Sequence, residues 1–352
     1  MSRLSTAYRA WLFRLGSFAL AGILLYLALR GVALAQIWNE LKTAQYGLLL
    51  PLVGLMVLTL VLRAWRWRLL LNALSDSKHP SSIRLGEAFA ALMIGYMVNY
   101  AAPRLGELAR AAVLRQRSGM RLSSTLGTVA GERLLDIATL LVALFSVGIL
   151  LLERWGIVYR LFIAPVFSQW HLAVLLAIGL GLCFLILRYL WQQHREKRWV
   201  GRIKIFLEAF TQGLLTLNRT GRPAALLLST LAMWICYIPM AYLPLIMLHL
   251  AGPYQLTLWD AWVLVVLGAV GVALPVPGGL GSYHYITVQT LVHVFGVPQG
   301  PAVTYAVLAH GAQMVIYTVI GFGCLLLQGT GWRAMVELEA FSKSTQSPSN
   351  TH

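Results

Sequence analysis

Long apolar runs, separated by short polar segments, follow one another along almost the whole chain. A helix that crosses a bilayer needs about 20 apolar residues, and most of these runs approach or exceed that length. The pattern therefore predicts an all-α polytopic membrane protein. The runs are 11–29, 46–62, 85–101, 125–152, 170–190, 223–250, 258–274, 280–295 and 302–328.

Two regions of this pattern are broken by helix-interrupting residues. The run 85–101 ends just before Pro103, and the apolar region 258–295 is divided by the sequence PVPGGLG. Proline and glycine both interrupt a helix. We expect 85–101 to enter the membrane and return with a helix that starts near Leu105, and we expect 258–295 to form a second hairpin from the opposite face. About six full transmembrane helices then remain beside two opposed re-entrant hairpins.

Positive charges are in large excess and indicate the orientation. The 352 residues include 28 lysines and arginines against 12 acidic residues, which gives a formal net charge of +16. Basic residues collect on the cytoplasmic side of membrane proteins. With two re-entrant hairpins, the basic clusters in 63–84 and 104–121 fall on one side, together with both termini. We expect a multi-pass protein of the plasma (inner) membrane with both termini in the cytoplasm.

The basic face also indicates which partners to expect. A positively charged membrane surface attracts anionic lipid headgroups. Scattered arginines beside the spans are usual in such proteins, so nucleic-acid binding is not expected. A homo-oligomer, or a separate synthase or glycosyltransferase partner, is compatible with the same pattern.

The two broken regions resemble each other and predict an internal repeat. Glu87 begins the first apolar helix, and Pro103 breaks it. Asp260 and Pro277 take the same places in the second region, and a Leu-Gly pair follows each break. Opposed broken helices that meet near the bilayer midplane are typical of inverted-repeat transporters. We therefore predict an inverted-repeat architecture with a polar cavity between the breaks.

The chain is predicted to contain a single membrane domain over 1–331. Its first half covers about 11–152 and its second half about 223–328. An amphipathic connector on the cytoplasmic surface, about 192–217, joins the halves. A polar C-terminal tail, 332–352, follows the domain.

The first group of candidate site residues follows the first break. Asn99, Arg104, Glu107 and Arg110 all fall within NYAAPRLGELARAAVLR. The last three are spaced three residues apart, so a helix would align them as one ladder of charges. One interpretation is an anion clamp in which Arg104 holds a phosphate and Glu107 fixes its geometry. The alternative is a solvated helix end with ordinary ion pairs.

A second group of charges lies inside an apolar run. Glu132, Arg133 and Asp136 belong to the sequence GERLLD, about seven residues into that run. Ionisable groups at such a position are costly unless they pair or face water. We expect Glu132 and Asp136 to meet Arg104 or Arg110 across a helix interface, either as part of a binding site or as a structural ion pair at the helix entrance.

The third group is the second break itself. Glycine allows a ligand to approach the backbone, and the N–H groups of a helix that starts there favour an anion. His284 follows the break and is expected to contact a headgroup, to respond to pH, or only to be hydrogen-bonded in the core. No metal site, cofactor motif or catalytic motif is expected. The group consists of Pro277, Gly278, Gly279, Gly281 and His284.

Three motifs in this order resemble a known family. NYAAPRLGELARAAVLR, AGERLLD and PVPGGLGSYH are similar to motifs in the membrane domain of lysylphosphatidylglycerol synthases, a flippase-like family, over roughly 10–330. The resemblance implies a stand-alone membrane domain without the aminoacyl transferase domain. In bifunctional members, the membrane domain flips an aminoacylated phospholipid. The motifs of the family fall on all three groups of candidate residues. Many members have glutamate at the position of His284, which puts the family's usual headgroup chemistry in doubt.

Three functions are compatible with these features. The first is a membrane lipid translocase that binds an anionic phospholipid or a polyprenyl-linked lipid in a midplane cavity. The second is an intramembrane enzyme that modifies a lipid headgroup, with Glu107, Glu132 or His284 as its acid or base. The third is an accessory subunit of an envelope lipid or glycan pathway. No catalytic motif is found, which favours the translocase over an enzyme.

Overall fold

The structure is a computed structural model that describes five stretches of the chain and a few isolated positions at residue 16 and between 156 and 217. The five stretches are 18–74, 82–102, 105–152, 219–274 and 276–328. The regular structure within them is helical. The α-helices are α1 (Phe18–Leu29), α2 (Leu34–Lys42), α3 (Leu49–Asn72), α4 (Leu85–Ala101), α5 (Leu105–Ser118), α6 (Leu122–Leu150), α7 (Pro223–Met247), α8 (Leu258–Ala273), α9 (Ser282–His293) and α10 (Gln299–Gln328).

Four helices are long and apolar enough to cross a membrane. They are α3 with its leading turn, α6, α7 and α10. They coincide with the predicted runs 46–62, 125–152, 223–250 and 302–328, which confirms an all-helical, multi-pass membrane protein. The predicted run 170–190 and the tail 332–352 lie outside the described residues, as does almost all of the connector. The count of six full spans therefore stays a prediction.

Helix α3 extends ten residues beyond the run that hydropathy identified. Its C-terminal part contains Arg63, Arg66 and Arg68, which the charge pattern placed in a cytoplasmic segment. Arg66 is instead completely buried. The helix continues because the charge of Arg66 is compensated by carboxylates on another helix, as described below.

A short second helix follows the first span at a sharp bend. Helices α1 and α2 meet at an angle of 72°. Gly31 stands at the bend with φ +85°, a conformation that residues with a side chain rarely adopt. Helix α2 buries Ile37 and exposes Leu34 and Trp38. The apolar runs had predicted no helix between residues 30 and 45.

Each broken region forms a helical hairpin, α4 with α5 and α8 with α9. Both hairpins begin with a capping box, in which an acidic side chain caps the first turn of the helix. Glu87 Oε2 accepts a hydrogen bond from the Arg84 N–H at 2.9 Å, and Asp260 Oδ2 accepts one from the Thr257 N–H at 2.8 Å. The prediction that Glu87 and Asp260 each begin an apolar helix is confirmed, and the role of both residues is structural.

Small residues hold the two arms of each hairpin close together. A Cβ on Gly106 of α5 would overlap the carbonyl oxygen of Gly95 in α4. In the second hairpin, a Cβ on Gly271 of α8 would lie 2.9 Å from the Cα of Tyr283 in α9. Ser282 Oγ also donates to the Gly271 carbonyl at 2.6 Å. In both hairpins, residues 11 positions apart meet across the turn, so the arms run antiparallel.

Two apolar cores correspond to the two halves. The first, around Trp67 and Leu92, lies between α3, α4, α5 and α6. The second, around Leu264 and Tyr305, lies between α7, α8, α9 and α10. Helix α10 connects them, because its Gly321 packs against the backbone of Met93 in α4. The first hairpin is thereby fixed against elements of both halves.

Candidate functional site

The tip of the first hairpin is tied to the start of α5. Asn99 Oδ1 accepts a hydrogen bond from the backbone N–H of Gly106 at 2.8 Å. This bond satisfies one of the donors that a helix N-terminus leaves without an intrahelical partner. Asn99 therefore orients the hairpin tip through its side-chain oxygen. Arg104, which precedes α5 in the sequence, lies outside the described residues.

Glu132 is the buried centre of an ion-pair network. Arg110 Nη1 of α5 donates to its Oε2 at 2.8 Å, and Arg66 Nη2 of α3 donates to its Oε1 at 3.3 Å. Glu132 and Arg66 have no exposed surface, and Arg110 is 2 % exposed. The predicted contact between Glu132 and Arg110 is confirmed. Glu132 thus joins three helices through charge-assisted hydrogen bonds.

Asp136 extends the network on the same face of α6. Arg66 Nη2 donates to Asp136 Oδ1 at 2.5 Å. Arg63 and Arg133 each approach Oδ2 to 3.6 Å. Asp136 was expected to meet Arg104 or Arg110. Among the described residues it pairs with Arg63 and Arg66 of α3 rather than with Arg110, because α3 continues past the predicted span, and the contact with Arg104 stays a prediction. Arg63 also donates to the Tyr96 hydroxyl at 2.8 Å, which links the network to α4.

Glu107 makes its ion pair between helices rather than along one. Arg133 Nη2 of α6 donates to Glu107 Oε1 at 3.3 Å. Among the described residues, Glu107 does not pair with Arg110. The part of the predicted charge ladder that joins these two residues along α5 is therefore wrong. Arg110 turns toward α6 instead, since the buried Glu132 offers a fully desolvated partner.

A small cleft opens beside this network, between the arms of the first hairpin and α6. Its interior measures about 10 Å³, which is room for about one water molecule, and the cleft is open to its surroundings on one side. Arg110 Nε and Nη2 and Glu107 Oε2 are buried there without hydrogen-bond partners in the described part of the chain. The Arg110 guanidinium also lies over the Trp67 ring, 4.7 Å from its centroid, which fixes the plane of the group. The cleft is lined by Leu92, Gly95, Tyr96, Asn99, Gly106, Glu107, Arg110 and Arg133.

The network carries more positive than negative charge. Within the described residues, its ion pairs join four arginines and three carboxylates, which leaves an excess of one positive charge. Each of the four arginines has at least one carboxylate partner. The unpartnered nitrogens of Arg110 place part of this excess at the cleft. The members are Arg63, Arg66, Arg110, Arg133, Glu107, Glu132 and Asp136.

The second break is a tight glycine turn. Pro277–Gly279 forms a short 3-10 turn, with Gly278 at φ +55° and Gly279 at φ +76°. Gly281 has φ +82°, and a Cβ there would overlap the Ala21 carbonyl of α1. The turn therefore needs glycine both for its backbone angles and for close helix packing. His284, one turn into α9, is buried beside His310 of α10, with ring centroids 5.2 Å apart.

The tips of the two hairpins touch. A Cβ on Gly278 would overlap the ring of Tyr100, which lies at the end of α4. The structure thus brings the first and third groups of candidate residues to neighbouring positions, while the second group supports the first hairpin from α6.

Several residues of this arrangement were not expected from the sequence. Arg63 and Arg66 are spaced i, i+3 on α3, and they complement the i, i+4 pair Glu132 and Asp136 on α6. That complementarity was the available signal. Thr230 of α7 accepts from Arg66 Nη1 at 3.0 Å, and nothing in the sequence marked it. Within the described stretches, no group of three or more potential ligands could hold a metal ion.

The fold and the network define a polytopic, all-helical membrane protein with two helical hairpins that meet at their tips beside a buried, positively charged cleft. The chain belongs to the family described as the lysylphosphatidylglycerol synthase TM region, which matches residues 14–321. It is therefore a membrane protein of a lipid-related family. Searches of curated proteins and of solved structures found no significant match.

Proposed function

We propose that this protein translocates a lipid with an anionic headgroup, and that the headgroup binds in the cleft of the first hairpin. The proposal rests on the buried side-chain nitrogens of Arg110 that have no hydrogen-bond partner among the described residues. Its Nε and Nη2 are buried at the cleft without partners, although its Nη1 is paired with Glu132. A guanidinium held in this way offers two parallel donors to a phosphate.

The charge of the network supports a headgroup with a single negative charge. Four arginines face three carboxylates, so one monoanionic phosphodiester would neutralise the described cluster. Neutralisation lowers the cost of holding charges away from water. In this proposal Arg133 and Glu107 form the rim of the cleft.

The proposal includes a membrane arrangement. The two hairpins enter from opposite leaflets of the plasma (inner) membrane, with both termini in the cytoplasm. Their contact at Tyr100 and Gly278 then lies near the midplane, where inverted-repeat transporters bind their substrates. Backbone turns at that depth are tolerated because they are buried in protein or line a wet cavity.

A reconstitution experiment tests the proposal. Purified protein in vesicles should accelerate loss of leaflet asymmetry for acyl-labelled phosphatidylglycerol, measured by chemical quenching of the outer label. Zwitterionic phosphatidylcholine should respond less, since its net charge is zero. The lipid mass should stay constant. A new covalent lipid product would favour the enzymatic alternative, and no protein-dependent movement of either lipid would contradict translocation.

A charge-preserving variant tests the cleft itself. Arg110→Lys keeps a positive partner for Glu132 but cannot present the two free guanidinium nitrogens. Loss of a hydrogen bond to a charged group costs about 1.5–3 kcal/mol, so transport of phosphatidylglycerol should fall by roughly 10- to 100-fold. Arg115→Lys, an exposed position on the same helix, is the matched control. Equal rates for the two variants would contradict the role of Arg110.

A further inference from the structure

A second buried polar cluster lies in the other hairpin and is separate from the ion-pair network. His284 of α9 and His310 of α10 meet edge to face, with ring centroids 5.2 Å apart. They are 6 % and 2 % exposed. The Tyr283 ring stacks on His310 at 4.8 Å and holds it in place. The two histidines form what we call the histidine pair.

Most of the ring nitrogens of the histidine pair have no partner. His284 Nδ1 and both nitrogens of His310 are buried without a hydrogen bond in the described part of the chain. The backbone of Gly278 lies beside His310, and the Thr287 hydroxyl lies beside Tyr283. Buried polar groups are normally satisfied, so this cluster indicates a ligand.

The chemistry of the cluster restricts that ligand. No carboxylate lies beside the pair within the described residues, and a buried imidazolium without a counterion is costly, which favours the neutral form of both rings. A neutral imidazole offers one N–H donor and one acceptor nitrogen. An anion could use only the donors, and a cation only the acceptors. A hydroxyl group both donates and accepts, so adjacent hydroxyls match the pair.

We propose that the histidine pair is a subsite for the hydroxyl groups of a polyol or sugar headgroup. This inference rests on the proposed lipid translocation and deepens it. The Pro277–Gly279 turn beside His310 touches Tyr100 at the tip of the first hairpin. The pair therefore adjoins the hairpin whose cleft contains Arg110. A headgroup that reaches both hairpins places its phosphate at Arg110 and its hydroxyls at the histidines.

Two lipids with the same charge test the inference. Phosphatidylinositol has a monoanionic phosphodiester and a polyol ring, whereas phosphatidylpropanol has the phosphodiester without hydroxyls. Their dissociation constants are measured on the full-length protein in nanodiscs. Two additional neutral hydrogen bonds should favour phosphatidylinositol by about tenfold or more. Equal affinity for the two lipids overturns the inference while leaving lipid binding intact. Binding of neither lipid overturns the proposed function as well.

Substitutions test whether the preference for phosphatidylinositol depends on the histidine pair. His310→Leu and His284→Leu should each bring the affinity ratio toward one without weakening phosphatidylpropanol binding. His310→Gln retains a donor and an acceptor and should keep part of the ratio. His293→Leu, an exposed position on α9, is the control and should leave the ratio unchanged. If the leucine variants do not fold, the inference is tested by the affinity ratio of the two lipids in the wild-type protein and in His310→Gln. If His310→Gln and a folded leucine variant both still prefer phosphatidylinositol, the assignment to the histidine pair is overturned.

Discussion

Replacing Glu132 by glutamine should destabilise the protein more than any other single loss of a carboxylate in the network. Glu132 is completely buried and is the only described ion-pair partner of Arg110. Arg66 would keep its contact with Asp136, but Arg110 would become a buried charge without a counterion. Arg66 and Arg110 would then also face each other across an uncharged side chain.

The size of this effect follows from the burial of both partners. Removing one member of a buried pair costs about 3–5 kcal/mol, mostly because the other charge is left uncompensated. Glu40→Gln is a suitable control, because Glu40 is near the surface and its carboxylate accepts a hydrogen bond from Gln36. That exposed change should lie within about 0.5 kcal/mol of wild type.

A double-mutant cycle separates the ion pair from other effects. Arg110→Gln combined with Glu132→Gln removes both charges, so the double variant should be more stable than the sum of the single losses predicts. The expected coupling is about 0.5–3 kcal/mol. The free energy of unfolding is measured by steric trapping in bicelles. A loss below about 1 kcal/mol for Glu132→Gln, or strict additivity in the cycle, would refute the buried-pair reasoning.

The contacts at the hairpins lead to two further predictions. A Cβ on Gly278 would lie 3.4 Å from Cγ of Tyr100, so the Cβ atoms of cysteines at the two positions would be within about 5 Å. In a background without native cysteines, this pair should form a disulfide that stops lipid movement until it is reduced; failure to cross-link in a variant that still folds would contradict the tip contact. Gly106→Ala should cost about 1–3 kcal/mol because its methyl group overlaps the Gly95 carbonyl, whereas Gly86→Ala, where nothing lies within 4 Å, should be neutral by the same unfolding measurement.

The long helices were predictable because hydropathy is a local property of the sequence. The start of each hairpin was predictable for a similar reason, since Glu87 and Asp260 stand three residues after the caps with which they pair. The end of α3 could not be predicted from the sequence, because the arginines there are stabilised by residues on α6. A local rule counts Arg66 as cytoplasmic, but its position is decided by the contacts with Glu132 and Asp136.

The candidate site was predictable in its residue types more than in its pairings. The contact between Glu132 and Arg110 followed from the cost of a lone charge in an apolar run. The partner of Glu107 could not be predicted in this way, because the pairing depends on the angle at which α5 meets α6. His310 lies in a long apolar run without any spacing that marks it. Only the packing of α10 against α9 brings it to His284.

In the proposed lipid translocation, the surplus of positive charge links the ion-pair network to the two hairpins. A network with equal numbers of charges would hold α5 against α6 whether or not a ligand was present. Here the described cluster is left with one excess positive charge, and the free donors of Arg110 lie at the cleft of the first hairpin. In the proposed mechanism, binding of a monoanionic headgroup stabilises the arrangement in which the hairpin closes on it. The tip of the same hairpin rests on Gly278, so the proposed mechanism predicts that occupancy of the cleft reaches the second hairpin through this direct contact.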